Sequence, residues 1–374
     1  MKIEYKGELK TCSSPDYNYT FNMVTGDFVR WGKTFADDPK MGSLEIFDLE
    51  VSTICNGIGK GPCSFCYKSN TKKGENMSFA TFKTIFDKLP KTLTQIAFGI
   101  GDIDACPDLR TMFFYCRHNK HNPGVVPNLT INGFGLTDEW ANYFAEMCGG
   151  IAVSVYEPKD VCYDAVRKLL DAGLTQVTVH QLVSEETFEK CKEVINDAAT
   201  DPRLKGLKAV MLLTLKPKGK RNKYHTLKDV TKYRELIDLA FSLGVNVGFD
   251  SCGAATFLAA VKDHKNFKQF SQLSESCESN RFSGYANVKG QWAHCSFTDG
   301  EPGWGTVNLL KIQDFETEVW QSGEVKKFRD RLMCQKNDHI DSEVYLCPIF
   351  PLYDEVRIGN ASRKVIPIME VENV

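Results

Sequence analysis

The chain has 374 residues, of which 42% are hydrophobic, enough for one large domain with a sizeable core and a smaller domain beside it. The formal net charge of −2 gives no global signal for binding polyanions. No apolar run is long enough to span a membrane, and the first residues do not form a signal peptide, so we expect a soluble, cytoplasmic protein without a membrane partner.

Fourteen cysteines favour metal or cluster binding over disulfides, because the expected compartment is reducing. Cys55, Cys63 and Cys66 form a C-x7-C-x2-C pattern, and four of the residues between the first two are Gly or Pro. This composition predicts a loop that folds three thiolates around one centre. Three ligands are one short of a closed tetrahedral site, which suits an Fe-S cluster with one open iron. A zinc site with a distant fourth ligand and simple buried cysteines are the alternatives.

The predicted elements begin with residues 1–43, which are irregular apart from a hairpin over residues 21–31. We interpret it as an edge hairpin, with a lid as the alternative. From residue 44 onward, apolar strands alternate with amphipathic helices, which predicts an α/β fold with parallel strands covered by helices. The predicted strands cover residues 44–54, 95–98, 128–133, 151–155, 176–180, 209–215 and 245–249. Five helices are predicted among these strands. Three begin at caps, namely Ser78, Thr137 and the pair Thr226 with Asp229. Of the other two, one ends at Leu170 and one covers residues 186–199.

Function gathers at the carboxyl ends of strands in such a fold. The chemically distinctive residues of this chain fall at predicted strand ends: Cys55, Gly99, Gly101, Asp102, Asn132, Ser154, His180 and residues 250–252. After residue 250 the helical rhythm weakens, a hairpin turns at Lys289 and Gly290, and a helix is predicted over residues 315–333. Five cysteines are scattered through this part, which indicates a small second domain around a second metal centre: Cys252, Cys277, Cys295, Cys334 and Cys347.

Residues 44–249 resemble the radical S-adenosylmethionine (SAM) enzymes, whose core is a partial (β/α)6 TIM-like barrel with a three-cysteine loop after the first strand. The usual spacing of that family is C-x3-C-x2-C, so the seven-residue interval here is a departure. Phe65 matches the aromatic residue before the last cysteine. The sequence from Gly99 to Asp102 loosely matches a Gly-Gly-Glu motif, and Asn132 weakly matches a polar strand-end residue.

The C-terminal part resembles the SPASM or twitch accessory domains. Cys277 and Gly290-x4-Cys295 fit their signature, and the absence of a longer cysteine run implies one auxiliary cluster. Cys347 is the expected later ligand, and Cys252 is preferred over Cys334 as the fourth. Cys252 has an alternative role as a redox-active or hydrogen-donating thiol. The implied domains are residues 1–43, an N-terminal extension; 44–249, the barrel; and 250–374, a small α+β cluster-binding domain.

The resemblance implies that Cys55, Cys63 and Cys66 hold a [4Fe-4S] cluster whose open iron chelates SAM. Reductive cleavage of SAM would yield a 5′-deoxyadenosyl radical that abstracts hydrogen from a substrate, with flavodoxin or ferredoxin as the electron donor. Asp102 is then the candidate for the methionine ammonium, Gly99 and Gly101 for close backbone approach, and Asn132 and Ser154 for ribose and carboxylate. These residues could equally serve as turn residues or strand-end caps, and His180 could belong to the core or to the pocket.

The resemblance favours a peptide or protein side chain as the substrate. Residues 216–223 carry five positive charges and follow a predicted strand. They form either a solvated loop or a surface for an acidic peptide or a phosphate. A nucleotide, a sugar or a nucleic acid is therefore the alternative substrate, and a non-catalytic zinc or Fe-S module is the alternative to an enzyme.

Overall fold

The computed structural model describes residues 1–59, 61–334 and 347–350. Its strands are β1 (Lys2–Lys6), β2 (Leu9–Ser13), β3 (Asn18–Asn22), β4 (Phe28–Trp31), β5 (Ile46–Glu50), β6 (Gln95–Gly99), β7 (Val126–Ile131), β8 (Ile151–Ser154), β9 (Val177–Val183), β10 (Ala209–Thr214), β11 (Val247–Phe249), β12 (Ser283–Ala286), β13 (Gln291–Ala293) and β14 (Val307–Asn308). Its α-helices are α1 (Phe79–Phe86), α2 (Leu109–His118), α3 (Asp138–Met147), α4 (Lys159–Asp171), α5 (Phe188–Thr200), α6 (Val230–Leu243), α7 (Ala254–Val261), α8 (Phe267–Leu273) and α9 (Gly323–Cys334).

The described residues form a mixed α/β fold whose larger sheet contains ten strands in the order β11-β10-β9-β8-β7-β6-β5-β12-β13-β14. Strands β5 to β11 are parallel and adjacent in chain order, as the alternation of apolar strands and helices predicts. Their carboxyl ends therefore lie along one edge of the sheet. That shared edge gathers the predicted site residues.

The predicted C-terminal hairpin extends the same sheet. Strand β12 pairs in parallel with β5, and β13 and β14 follow in antiparallel order. Trp292 of β13 is buried and stacks on Phe47 of β5 with ring centroids 5.9 Å apart. The segment after residue 250 is thus packed directly against the first parallel strand.

The N-terminal segment is not irregular, because β1 to β4 form a four-stranded antiparallel sheet. It packs at the amino ends of the parallel strands: Tyr19 donates its hydroxyl to the Thr92 carbonyl at 2.8 Å, ahead of β6. Gly26, in the turn between β3 and β4, lies close to Gly149, ahead of β8. The hairpin over residues 21–31 therefore belongs to this sheet, and the alternative that it forms a lid over the active edge is wrong.

Most helix termini follow the predicted caps, since the Ser78 and Thr137 side chains accept backbone hydrogen bonds at the starts of α1 and α3. The predicted start at Thr226 is wrong, because the Asp229 carboxylate caps α6 instead, accepting from the Thr231 amide at 2.8 Å. The helix predicted over residues 315–333 is interrupted. A π-helical turn at Glu316–Trp320 ends at Gln321, and the Ser322 hydroxyl then caps the start of α9 by accepting the Val325 amide at 3.3 Å.

Lys10 joins the N-terminal sheet to the rest of the fold from a fully buried position. Its ammonium group donates to the Leu93 carbonyl at 2.5 Å and to Asn122 Oδ1 at 2.8 Å. Burial lowers the pKa of Lys10 to about 7, from an ordinary value of 10.5. Between these two pH values the unfolded chain carries more protons on Lys10 than the folded chain does. The free energy of unfolding must therefore rise with pH in that window.

We expect this rise to be about 1 kcal/mol per pH unit near pH 8 from Lys10 alone. Urea unfolding at pH 7 and pH 9 measures it, with Lys10→Met as the comparison. The variant should lose most of the pH dependence that the native protein shows in this window. Equal slopes in the two proteins would contradict a lowered pKa at Lys10.

No helix in the described ranges combines the length and the apolar character needed to cross a bilayer.

Candidate active site

The three-cysteine loop follows β5 and is closed by backbone hydrogen bonds. The Cys55 amide donates to the Thr71 carbonyl at 2.9 Å, and the Cys66 amide donates to the Cys63 carbonyl at 3.3 Å. The first contact ties the start of the loop to its far end. The second forms a turn that holds two of the thiols on one short segment.

The long interval between the first two cysteines is accommodated by glycine contacts. Gly57 has a φ of +73°, and a Cβ built on it would lie 2.0 Å from the Gly61 carbonyl oxygen. The backbone therefore folds back on itself between these two residues. Ile58, between them, is buried and packs into the main core. The longer interval is therefore held to the core through Ile58, and Cys55, Cys63 and Cys66 still line the same cavity.

The loop opens onto a cavity of about 580 Å³ at the carboxyl ends of the parallel strands. Its size falls within the range of small-molecule and cofactor sites. Nine predicted site residues line it together: Cys55, Cys63, Cys66, Phe65, Gly99, Gly101, Asn132, Ser154 and His180.

Asp102 lies beside this cavity, but it does not line it. Its Oδ2 accepts hydrogen bonds from the Asn56 amide and from Asn56 Nδ2, both at 2.7 Å, and its own amide donates to the Ile54 carbonyl at 3.1 Å. Oδ1 is buried and makes no hydrogen bond in the described structure. The carboxylate therefore braces the residue after Cys55 with one oxygen and has the other oxygen free.

Gly101 lies against the cysteine loop so closely that no side chain fits. A Cβ built there would lie 2.1 Å from the Ile54 carbonyl oxygen and 2.7 Å from Cys55 Cβ. We expect Gly101→Ala to push Cys55 outward, to lower the free energy of unfolding by about 1–3 kcal/mol and to reduce iron binding by the loop. Chemical unfolding and an iron assay after anaerobic reconstitution measure both effects.

Gly323→Ala is the matched control, because a Cβ built at Gly323 has no heavy atom within 4 Å. This variant should keep the native iron content. If Gly101→Ala behaves like Gly323→Ala, the close approach to Cys55 has no importance for the site.

The remaining polar candidates are placed differently from one another. Asn132 is buried at the end of β7, and its Oδ1 accepts the Phe134 amide at 3.0 Å, so it caps the strand end and also faces the cavity. Ser154 is buried at the end of β8.

His180 lies in the middle of β9, because that strand continues to Val183. The predicted strand end at residue 180 is therefore wrong. Burial lowers the pKa of His180 to about 4, so its imidazole is neutral at physiological pH.

Phe65 is held between two tyrosines at the cavity wall. Its ring stacks on Tyr224 at 5.1 Å and contacts Tyr156 at 5.5 Å between centroids. The aromatic residue before the last cysteine thus fixes the loop against the segments that follow β8 and β10.

A charged network that the sequence did not reveal forms another wall of the cavity. Lys68 Nζ lies 3.2 Å from Glu50 Oε1 and 2.8 Å from Asp299 Oδ2, and it donates to the Tyr285 hydroxyl at 2.6 Å. The signal available in the sequence was the pair of acidic residues, Asp48 and Glu50, within an otherwise buried strand. Their partners lie too far along the chain to be identified from spacing.

The basic segment of residues 216–223 contacts both the end of the three-cysteine loop and the C-terminal segment that contains Cys295. Lys218 donates to the Phe297 and Asp299 carbonyls at 2.8 and 2.6 Å, and Arg221 donates to the Asn70 carbonyl at 2.9 Å. Lys216 pairs with Asp250. Three of its five cationic residues are therefore engaged within the protein, so the expectation of a simply solvated loop is wrong.

Four C-terminal cysteines lie near one another. Burial raises the pKa of Cys252 to about 12, and the thiols of Cys295 and Cys347 are close enough to add to the effect. Burial raises the pKa of Cys277 as well, with contributions from the other three thiols. Cys334 is instead exposed at the end of α9. This placement favours Cys252 over Cys334 as the fourth member of the group.

The cysteines of both sets are free thiols. All fourteen cysteines lie in the described residues, and none is paired in a disulfide. Burial raises the pKa of Cys55 to about 12, with the Asp102 charge adding to it, so ligation must release protons. Across the described ranges, no three Cys, His, Asp or Glu side chains converge tightly enough to hold a single metal ion.

No protein-family model and no curated protein matches this sequence. Solved structures match its fold. SuiB of Streptococcus suis bound to S-adenosylmethionine has a TM-score of 0.64 at 12% identity, covering 95% of each chain. SuiB bound to the precursor peptide SuiA has a TM-score of 0.64 at 11% identity, covering 87% of this chain and 90% of that chain. The protein anSMEcpe with bound AdoMet and Cp18Cys peptide has a TM-score of 0.52 at 15% identity, covering 76% of this chain and 83% of that chain.

At these identities the similarity shows the fold alone. The chain has the fold of these S-adenosylmethionine-binding proteins. The resemblance of residues 44–249 to radical SAM enzymes is confirmed at the level of the fold.

Proposed function

We propose that the protein is a radical SAM enzyme that acts on a peptide or protein side chain. One observation carries the proposal: the three-cysteine loop lines the same cavity as the carboxyl ends of β6, β7 and β8. An incomplete ligand set therefore faces a space large enough for a cofactor and part of a substrate. When bound, a [4Fe-4S] cluster and SAM supply a 5′-deoxyadenosyl radical for hydrogen abstraction.

In this proposal Cys55, Cys63 and Cys66 hold the cluster. Gly99 and Gly101 let the backbone approach the cofactor, and Asn132 and Ser154 offer polar groups to its ribose and carboxylate. Asp102 lies beside the cavity, and its unpartnered, buried oxygen would accept the methionine ammonium if cofactor binding exposes it, while its other oxygen braces the loop. Phe65 contributes a wall of the site, and His180 contributes a neutral imidazole to the substrate side.

We further propose that the parallel strands curve as a partial (β/α)6 barrel and that the C-terminal part is a SPASM-like or twitch-like domain. Cys252, Cys277, Cys295 and Cys347 would hold one auxiliary [4Fe-4S] cluster, and in that role Cys252 is not a catalytic thiol. Burial and the mutual proximity of the four thiols support this ligand set. The reductant would be an external carrier such as flavodoxin or ferredoxin.

A peptide is favoured over a nucleotide or nucleic acid for two reasons. Lys216, Lys218 and Arg221 are the cations of the segment that was a candidate for phosphate binding, and all three are engaged within the protein. Two proteins of the same fold were solved with peptides bound, SuiB with its precursor peptide and anSMEcpe with a Cp18Cys peptide.

Anaerobic reconstitution with iron and sulfide tests the proposal. We expect about eight irons per chain, the content of two four-iron clusters, and cleavage of SAM to 5′-deoxyadenosine when dithionite is added. Stoichiometric zinc without any 5′-deoxyadenosine would instead support a non-catalytic binding module.

A further inference from the structure

The substrate side of the cavity contains one carboxyl group that the fold leaves unused. We propose that Asp48 binds a positively charged side chain of the substrate, such as lysine or arginine. This inference rests on the proposed function and adds a substrate feature to it.

Asp48 lies on β5, where its register partners are Ala97 of β6 and Tyr285 of β12. Its side chain lines the cavity. The Asp48 charge acts on the thiol of Cys295, whereas the carboxylate that acts on Cys55 is Asp102. Asp48 is therefore on the side of the cavity formed by β5 and β12, near Cys295 and also near Tyr67, the residue after the last loop cysteine. In this proposal the substrate reaches that side of the cavity.

The other two carboxylates that line the cavity are already paired. Glu50 forms an ion pair with Lys68 at 3.2 Å, and Asp250 forms one with Lys216. The Asp48 carboxylate, by contrast, makes no side-chain hydrogen bond or ion pair with any residue that the structure describes. Burial, with the charge of Glu278 adding to it, raises the pKa of Asp48 to about 7. A bound cation would relieve the cost of ionising this isolated carboxyl group.

The charge balance of the cavity favours a cation. Its lining contains three acidic residues against two lysines, Lys68 and Lys216, and both lysines are neutralised by their partners. A phosphate group would meet net negative charge there. The apolar side chains on the walls, including Phe98, Ile131 and Leu213, would contact the alkyl stem of a lysine while its ammonium reaches Asp48.

Two capped tripeptides that differ only in one charged group test the inference. Acetyl-Ala-Lys-Ala-amide and acetyl-Ala-norleucine-Ala-amide have the same stem length, but only the first carries an ammonium. Their binding to the reconstituted, SAM-bound protein is measured by calorimetric titration at pH 8. We expect the lysine peptide to bind at least about tenfold more tightly, the effect of one charge-assisted hydrogen bond. Equal affinities, or no binding of either peptide at millimolar concentration, would overturn the inference without any variant.

Asp48→Asn should remove the preference for the lysine peptide. Asp104→Asn is the matched control, because it removes a carboxylate that is outside the cavity and accepts a hydrogen bond from Trp140 Nε1. The control should keep the preference, and iron content and SAM binding report whether each variant is folded. A preference that survives in Asp48→Asn would assign the cation to another group. If the native protein does not cleave SAM, the proposed function is refuted. If it cleaves SAM but shows no preference for the lysine peptide, only the role of Asp48 is refuted.

Discussion

Replacement of Cys55, Cys63 and Cys66 by alanine together is expected to abolish cleavage of SAM to 5′-deoxyadenosine in the reconstituted protein. These three thiols are the side chains of the loop that can ligate iron, and they line the cavity where the cofactor would bind. Without them no electron can reach SAM at that position. Chromatographic measurement of 5′-deoxyadenosine under anaerobic, reducing conditions gives the result.

The iron content of the triple variant should fall by about half, from two four-iron clusters to one. Cys191→Ala is a suitable control, because this thiol is buried in the core on α5 and belongs to neither set. It should keep both the iron and the cleavage. Cleavage that persists in the triple variant would show that the loop does not hold the cluster used for SAM.

Replacement of Cys277 and Cys295 by alanine is expected to remove the other half of the iron. Cys277 precedes β12 and Cys295 follows β13, so both thiols are anchored by the hairpin that pairs with β5. The iron that remains should still be bound by the three-cysteine loop, and electron paramagnetic resonance of the reduced protein should show a single type of cluster. An unchanged iron content would refute the auxiliary site.

Single substitutions then separate the two candidates for the fourth auxiliary ligand. Cys252→Ala should destabilise the auxiliary cluster, because Cys252 is buried among the other thiols. Cys334→Ala should not change it. The reverse result would assign the fourth ligand to Cys334.

The central sheet was predictable because its signal is local. Strands that are buried on both faces appear as short apolar runs, such as Ala209–Thr214, whatever lies elsewhere in the chain. The N-terminal sheet was not predicted, because β1 and β2 mix charged and apolar residues and pack against Phe282 and Val126, which are distant in sequence. Helix α2 was missed as well, since three aromatic residues in one short segment obscure its polar face.

The candidate site, like the fold, was predictable only where its signal is local in sequence. Cysteine spacing and strand-end residues indicated where the cofactor would bind, because those features are contiguous in sequence. The unpartnered state of Asp48 depends on which other carboxylates have partners, and Lys68 and Asp299 meet only in three dimensions. The role of residues 216–223 was likewise invisible, because a run of positive charge does not reveal which carbonyl groups it will contact.

The contacts of residues 216–223 also bear on the order of events during synthesis. Gly219 packs so closely on the loop that a Cβ there would lie 2.4 Å from the Cys66 carbonyl oxygen, and Arg221 contacts the segment just beyond. These bracing residues are translated on the order of 10 s after the cysteines at typical elongation rates. A nascent chain therefore exposes three thiols on an unbraced loop for that time. Stable cluster insertion is expected to follow translation of most of the chain.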